Sequence, residues 1–579
     1  MKGMTGIFFA ACAIGTSFIL QDDVAEHPSI LVDQMGYRPG DKKIVFLKER
    51  GGSTFNIIDD YSKKIVHKGK VHPIGVGDAN TGDMLFMIDF SKFKKEGTYR
   101  IILEDFAQHS FPFSVDRDVY DQAALTAMES FYYQRCGIAI DDGSLWEHPV
   151  CHSLPARYYS DPAEVKNVTG GWHDAGDYNK FVPTTAVSVA FFLMLYDLQP
   201  DKFFDGQLDI PERRNGVPDI LDEARWGLEW LMKMQEEDGG VAHKVSIKKW
   251  TGEHLPHVED DTQYIFARSS VATADVAAAT ALGARLFLRY DKTFARKLLQ
   301  TSLKAWEYLE ANPSIVPDGG FKNPEDVEGG EYGDSKDSDE RLWASVELLK
   351  ATGNAKFHDY FLQQYQGIGG VNYAVSWQNV QNFAYYSYLT VPVNVNNYQA
   401  RSFIISTMTV YCDALLNRIN TSGYRYVLLP EQQYWGSNSV AMGHAYDLIM
   451  GYEATKHERY LEGALDQLHY MFGRNTFGLS FVTGVGVNAV QHPYHQFSML
   501  SEHNVPVPGM LVAGCNAYSR LNGKVISQFS GRSYEDNEKN YFVNEPAINY
   551  TAPFMFVASY FSSFRKFDTS DNMYSEEQQ

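Results

Sequence analysis

Basic residues, cysteines and long apolar runs are all scarce in this 579-residue chain. Lys and Arg number 51 against 72 Asp and Glu, a formal charge of −21. A field of that sign repels phosphate backbones and anionic lipid, which excludes nucleic-acid and membrane-surface binding as leading functions. The five cysteines, Cys12, Cys136, Cys151, Cys412 and Cys515, are too few for a disulfide scaffold of this size. Beyond the N-terminus no segment has the ~18 uninterrupted apolar residues that a membrane span needs, so stable membrane insertion is not expected. The apolar stretch from Ile7 to Leu20, preceded by Lys2, has the form of a secretory leader. Residues 1–21 are therefore read as a signal peptide and the protein as exported, to the medium, the periplasm or the cell surface. Cys12 after Phe9-Ala10-Ala11 leaves a lipid anchor open. What is abundant is aromatic: 36 Tyr, 36 Phe and 9 Trp make up 14% of the chain. Such an excess suits either a cleft that stacks on sugar rings or simply a large core.

Two textures divide the chain. From Pro28 to Val115, short apolar runs at 29–32, 43–47, 54–58, 84–88 and 98–102 alternate with turn residues, which predicts a β-sandwich over 27–116. Beyond Asp116, helical periodicity recurs at 120–134, 184–196, 218–235, 270–290, 293–311, 339–352, 401–417, 439–452, 458–472 and 546–564. Ten or more helices joined by long loops predict an all-α domain over 117–568, with a polar tail at 569–579. Pro218 inside a first turn marks a helix start, and Gly353 and Gly473 mark ends.

The segment richest in chemistry is Gly170-Gly171-Trp172-His173-Asp174-Ala175-Gly176-Asp177-Tyr178-Asn179-Lys180. Either aspartate could cap the following helix. Alternatively the two hold one water, as glycoside hydrolysis with inversion requires when an acid stands across the bond. A downstream acid is available in Glu545, which precedes Pro546 and an apolar helix; alone, it could equally be a carboxylate favoured by the helix dipole. Cys136, Cys151, His152 and His173 offer two thiolates and two imidazoles, a closed tetrahedral zinc set, but their intervals are not finger-like and spacing alone favours buried cysteines. The oxygen-rich run Glu331 to Glu340 opens a helix, and most such runs are solvated caps.

Together these segments resemble family 9 glycoside hydrolases, inverting β-glucanases built on an (α/α)6 barrel. Val32-Asp33-Gln34-Met35-Gly36-Tyr37-Arg38-Pro39, Asp89-Phe90-Ser91 and Gly97-Thr98-Tyr99 are similar to the immunoglobulin-like module that precedes the barrel in one branch. The resemblance implies an N-terminal immunoglobulin-like β-sandwich followed by an (α/α)6 barrel. It also implies Asp177 as catalytic base, Asp174 as its partner on the water and Glu545 as general acid. A structural zinc ion at Cys136, Cys151, His152 and His173 is implied as well, with a calcium ion at Asp339 and Glu340 and no organic cofactor. Tyr434-Trp435-Gly436-Ser437-Asn438 is similar to the cleft-lining loop, so Trp435 is expected to stack on a glucosyl face, and Tyr541 is expected beside the acid. The chain departs from the family at Pro493-Tyr494-His495-Gln496, where Pro-His-x-Arg is usual. Tyr494, His495 and Gln496 are read as the sugar contacts there, and losing the cation removes a charge-assisted hydrogen bond of about 1.5–3 kcal/mol. Thr551 replaces the usual Asn, and Gln378 follows Ser376-Trp377 where an Asp is common. The expected activity is an inverting endo-β-1,4-glucanase acting as a monomer on soluble β-glucans: mixed-linkage glucan, xyloglucan or carboxymethyl cellulose. An exo-acting glucosidase, cellobiohydrolase or glucosaminidase, or a glycan-binding protein without turnover, are the alternatives.

Overall fold

The computed structural model describes residues 29–48, 53–103, 109–520 and 523–564. The signal peptide, Cys12 and the 569–579 tail lie outside the described residues. Eight strands open the chain: β1 (Ile30–Leu31), β2 (Gly36–Tyr37), β3 (Ile44–Leu47), β4 (Thr54–Asp59), β5 (Ile65–Gly77), β6 (Met84–Asp89), β7 (Gly97–Leu103) and β8 (Phe113–Val115). They follow the order β1-β3-β6-β5-β4-β7-β8-β2. The long β5 serves two sheets, pairing its first half with β4 (Thr54 opposite Lys70) and its second with β6 (Val71 opposite Ile88). Its register shifts after Pro73, a strand position that proline tolerates at an irregularity. Tyr37, Phe55, Ile57, Ile88, Tyr99 and Phe113 fill the space between the two faces. The predicted strands are present; β5 escaped the sequence reading because Lys68, Gly69, Lys70 and Pro73 break its alternation.

Twelve longer helices form two concentric rings. The inner ring is α2 (Val182–Leu198), α4 (Ser270–Phe287), α6 (Ser338–Thr352), α8 (Gln381–Leu389), α10 (Ser437–Thr455) and α12 (Ile548–Phe561), closing where α12 packs on α2. The outer ring is α1 (Asp121–Tyr132), α3 (Asp219–Met234), α5 (Lys292–Ala311), α7 (Ala355–Ile368), α9 (Tyr398–Thr421) and α11 (Glu458–Met471). Sequence explains the sorting. In α2 every residue from Val182 to Tyr196 is buried, the pattern of a helix that is apolar all round. In α3, Ile220, Leu221, Ala224, Leu228 and Leu231 form one buried stripe, while Lys233 lies outside it. Two of these helices were not predicted: α8 is rich in Tyr and carries Gln and Asn without a clean apolar period, whereas α7 carries Phe357, Phe361 and Tyr365 four residues apart, a stripe that the sequence reading passed over.

The β-sandwich is joined to the barrel by buried polar contacts. Gln34 donates from Nε2 to the Gly478 carbonyl (2.9 Å) and accepts the Asn488 N–H at Oε1 (2.7 Å). Asp83 accepts hydroxyl bonds from Tyr424 (2.6 Å) and Thr476 (2.8 Å). The module thus grips the loop that runs on to Tyr494.

Candidate active site

The turn from His173 to Asn179 enters α2 at one end of the ring. The Asp174 N–H bonds the Asn179 carbonyl (2.9 Å), and the Asp174 carbonyl accepts from Ile548 at the start of α12 (2.8 Å). The turn is thereby pinned between two inner helices. Gly176 sits against Tyr494, where a Cβ would stand 2.2 Å from the carbonyl oxygen, so only glycine fits. Its N–H reaches Glu545 Oε1 (3.3 Å) and its carbonyl accepts from the Gln496 N–H (2.9 Å). One glycine therefore brings the aspartate turn, the Glu545 segment and the Tyr494 loop together.

The three carboxyls have unlike surroundings. Asp177 accepts from the Asn179 N–H (3.1 Å) and from Asn179 Nδ2 (2.8 Å). Burial raises its pKa, while the Asn179 bonds and the Lys244 charge oppose the rise. Asp174 accepts hydroxyl bonds from Thr184 and from Tyr332 (2.9 Å), and burial followed by the Asp177 charge lifts it to about 7 against those donors. Glu545 has only the long Gly176 N–H; burial, then Asp177 and Asp174, hold it well above the usual carboxylate range. A buried acid with few donors keeps its proton, and a carboxylate with several donors and a nearby cation gives it up. Tyr332→Phe is expected to lower kcat by about 10-fold with KM little changed, because it strips a donor from Asp174 without touching substrate; kinetics on one glucan at constant pH check this.

Sequence reading did not find Thr184, Asn179, Lys244 or Tyr332. Asn179 lies in the quoted segment and Tyr332 in the quoted oxygen-rich run, so proximity to those segments was the available signal. Of the expected sugar contacts, His495 and Gln496 lie buried beneath the surface. His495 is 1% exposed with both ring nitrogens bonded, to Ser498 (2.8 Å) and Gln134 (3.1 Å). Gln496 is wholly buried and accepts the His254 N–H at Oε1 (2.8 Å). Both fix the loop, and Tyr494 between them and Pro493 lies near the carboxyls: burial first, then Glu545 and Asp177, raise its phenol.

Beside Tyr494 runs an aromatic rim. Tyr541 lies 5.7 Å from the Tyr494 ring and 5.6 Å from Trp435. Trp435 is 43% and Tyr541 39% exposed, both available to a ligand. Gly436, at φ +84°, lets the loop carrying Trp435 pass the Tyr550 ring, which a Cβ would meet at 3.1 Å.

Cys136, Cys151, His152 and His173 converge, with their donor atoms within 4.8 Å of one another. Both cysteines are buried and unpaired by disulfide. Lys180 donates to Cys136 Sγ (3.3 Å), and the Cys151 thiol and that ammonium favour a thiolate at Cys136. His152 Nδ1 is buried with no hydrogen-bond partner while Nε2 meets Glu259 (3.4 Å). An imidazole backed by a carboxylate and gathered with two sulfurs fits a zinc ligand. A second cluster joins Asp339 and Glu340 of α6 to Asp275 of α4 and Asp334 of the preceding loop. Asp339, Asp275 and Asp334 all raise the pKa of Glu340, after burial. Among the described residues, both side-chain oxygens of Asp275 and of Glu340 lack hydrogen-bond partners, while the only group of converging metal donors is the cysteine–histidine one. Asp275 and Asp334 were not found from sequence, being distant in the chain.

With this geometry in place, comparisons with known proteins are decisive. The profile of the cellulase N-terminal Ig-like domain matches residues 25–107, and that of glycosyl hydrolase family 9 matches residues 120–558. Endoglucanase D of Acetivibrio thermocellus is 30% identical over 543 residues, covering 92% of this chain and 83% of its own. A cellodextrinase of Butyrivibrio fibrisolvens is 31% identical over 565 residues, covering 92% and 99%. The crystal structure of a metagenome-derived family 9 endoglucanase superposes with a TM-score of 0.86 at 34% identity, covering 92% and 99%. A β-sandwich followed by a double ring of helices, matched along its length by these proteins, identifies the chain as a glycoside hydrolase belonging to glycosyl hydrolase family 9.

Proposed function

We propose that the protein is an exported, inverting endo-β-1,4-glucanase acting on soluble β-glucans, with Asp177 as base, Asp174 as its partner and Glu545 as acid. The observation that carries the reading is the contrast between Asp177, which has two donors and a cation, and Glu545, which is buried with one long N–H bond. Water held by Asp177 and Asp174 loses a proton to Asp177 and attacks the anomeric carbon. Glu545 gives its proton to the departing glycosidic oxygen, and the configuration inverts. Proton and charge balance across one step: one carboxyl gains what the other loses.

Zinc held by Cys136, Cys151, His152 and His173 would supply cross-linking rather than chemistry, since four protein donors leave no open position. A calcium ion at Asp339 and Glu340 would favour their ionised forms and steady the loop carrying Tyr332. No helix of the described residues is long and apolar enough to cross a membrane. A second reading, an enzyme attacking short oligosaccharides from the end, is favoured by the cellodextrinase relative.

Reducing-end release by the wild type and by Asp177→Asn is to be measured on mixed-linkage glucan, xyloglucan, carboxymethyl cellulose and gluco-oligosaccharides. The anomer of the first product is to be recorded with the viscosity. The expected result is α-anomer from the wild type, an early fall in viscosity and a loss of about 10²–10⁴-fold in the variant. Retained β-configuration would overturn the mechanism, and slow viscosity loss with rapid sugar release would favour the exo reading.

A further inference from the structure

Tyr518 is a large ring left in the open. It is 62% exposed, and its phenol makes no hydrogen bond among the described residues. Its backbone, by contrast, is held firmly. The Tyr518 N–H bonds Asn516 Oδ1 (3.0 Å), the Ser519 N–H bonds the Asn516 carbonyl (3.2 Å), and the Ser519 side chain is buried. A free ring on a fixed turn is the arrangement of a pre-organised contact rather than of a loosely packed surface.

The turn adjoins the aromatic rim. The Ala517 N–H bonds the Gln433 carbonyl (2.8 Å), one residue before Tyr434 and two before Trp435. Asn516 Nδ2 bonds the Phe542 carbonyl (3.2 Å), next to Tyr541. Tyr434 is itself 43% exposed. The exposed rings of Tyr541, Trp435, Tyr434 and Tyr518 are therefore carried on neighbouring segments that lead away from Tyr494. Such a run of neutral, rigid, amphipathic faces suits the alternating C–H faces and hydroxyl edges of a polysaccharide, and continuity with the cleft selects the occupant: the same chain whose bond lies at Glu545.

We infer that Tyr518 is a distal sugar-binding residue that engages glucosyl units of a long β-glucan beyond the reach of Trp435, and so sets a preference for polymer over short oligosaccharide. This rests on the glucanase reading above. Tyr518→Ala, Tyr518→Phe and the wild type are to be compared on a soluble β-glucan polymer and on a four-unit β-1,4-gluco-oligosaccharide, together with melting temperature. In Tyr518→Ala the polymer KM should rise about 3- to 10-fold with kcat unchanged. The oligosaccharide constants should stay within about twofold, melting should be unaltered, and Tyr518→Phe should restore the polymer KM. An unchanged polymer KM, or an equal loss on both substrates, would overturn the inference. Retention in a glucan-containing gel gives an independent arm, read in Glu545→Gln with and without Tyr518→Ala. If the wild type turns over no glucan, the glucanase reading fails, and slower migration that depends on Tyr518 would still support the binding residue. Migration unaffected by either glucan or Tyr518 would overturn it.

Discussion

Glu545→Gln is expected to lower kcat on polymeric β-glucan by about 10²–10⁴-fold while leaving KM within a few-fold, because the amide keeps the shape of the acid but cannot donate its proton to the leaving oxygen. The pH profile separates this from a mere loss of packing. On the proposed mechanism Asp177 must be ionised in the wild type, so the rate should rise with pH as that carboxyl and its partner Asp174, near 7, lose their protons. Glu545 must be protonated, so the rate falls as pH climbs through its own pKa, which burial and the two neighbouring aspartates hold well above the usual range. The optimum therefore lies higher than for two ordinary carboxyls. Glu545→Gln should keep the acid-side rise and lose the alkaline fall. An aryl β-glucoside with a good leaving group needs little proton assistance and should recover most of the lost rate in Glu545→Gln, but not in Asp177→Asn. A Glu545→Gln variant with an intact alkaline limb would assign the acid to another group.

Much of this site was legible because chemistry is concentrated in short segments. His173-Asp174-Ala175-Gly176-Asp177 and Glu545-Pro546 carry carboxyls, a metal donor and the obligatory glycine within a few residues of each other, and inner helices such as α4 announce themselves by apolar continuity. What sequence left hidden depends on contacts between distant segments. Tyr332 lies 158 residues from the Asp174 that it supports, and nothing local to it signals a hydroxyl aimed at a carboxylate. Asp275 sits in an otherwise apolar, alanine-rich helix, and its unpartnered oxygens acquire meaning only once α6 brings Glu340 alongside. His495 and Gln496 show the opposite case. Their positions matched a sugar-binding pattern, yet the Gly176 contact holds that stretch with Tyr494 near the carboxyls and those two side chains buried.

The second large effect concerns the Cys136, Cys151, His152 and His173 cluster. Elemental analysis should find one zinc per chain at this cluster, and its removal by a strong chelator, or Cys136→Ser, should lower the melting temperature by roughly 5–10 °C and kcat at least about 10-fold. The reasoning is geometric. The four donors come from three separate stretches: Cys136 in the segment after α1, the loop at 151–152, and His173 in the turn itself. Without an ion, two buried sulfurs, Lys180 and a partnerless His152 nitrogen are left to settle among themselves. His152 holds its backbone at φ +42°, a conformation that a non-glycine residue keeps only when its surroundings fix it. His173 directly precedes Asp174, so a small shift of the imidazole is passed by one peptide unit to a residue on the attacking water, where displacement by about 1 Å can cost 10²-fold. Restoring zinc should therefore recover both melting temperature and kcat in the stripped wild type but in neither respect in Cys136→Ser. Recovery of stability without recovery of rate would mean that the cluster braces the fold and leaves the aspartate turn to its own hydrogen bonds. Absence of zinc from the purified protein, with melting indifferent to chelator, would remove the metal altogether and leave the Lys180–Cys136 contact as the brace.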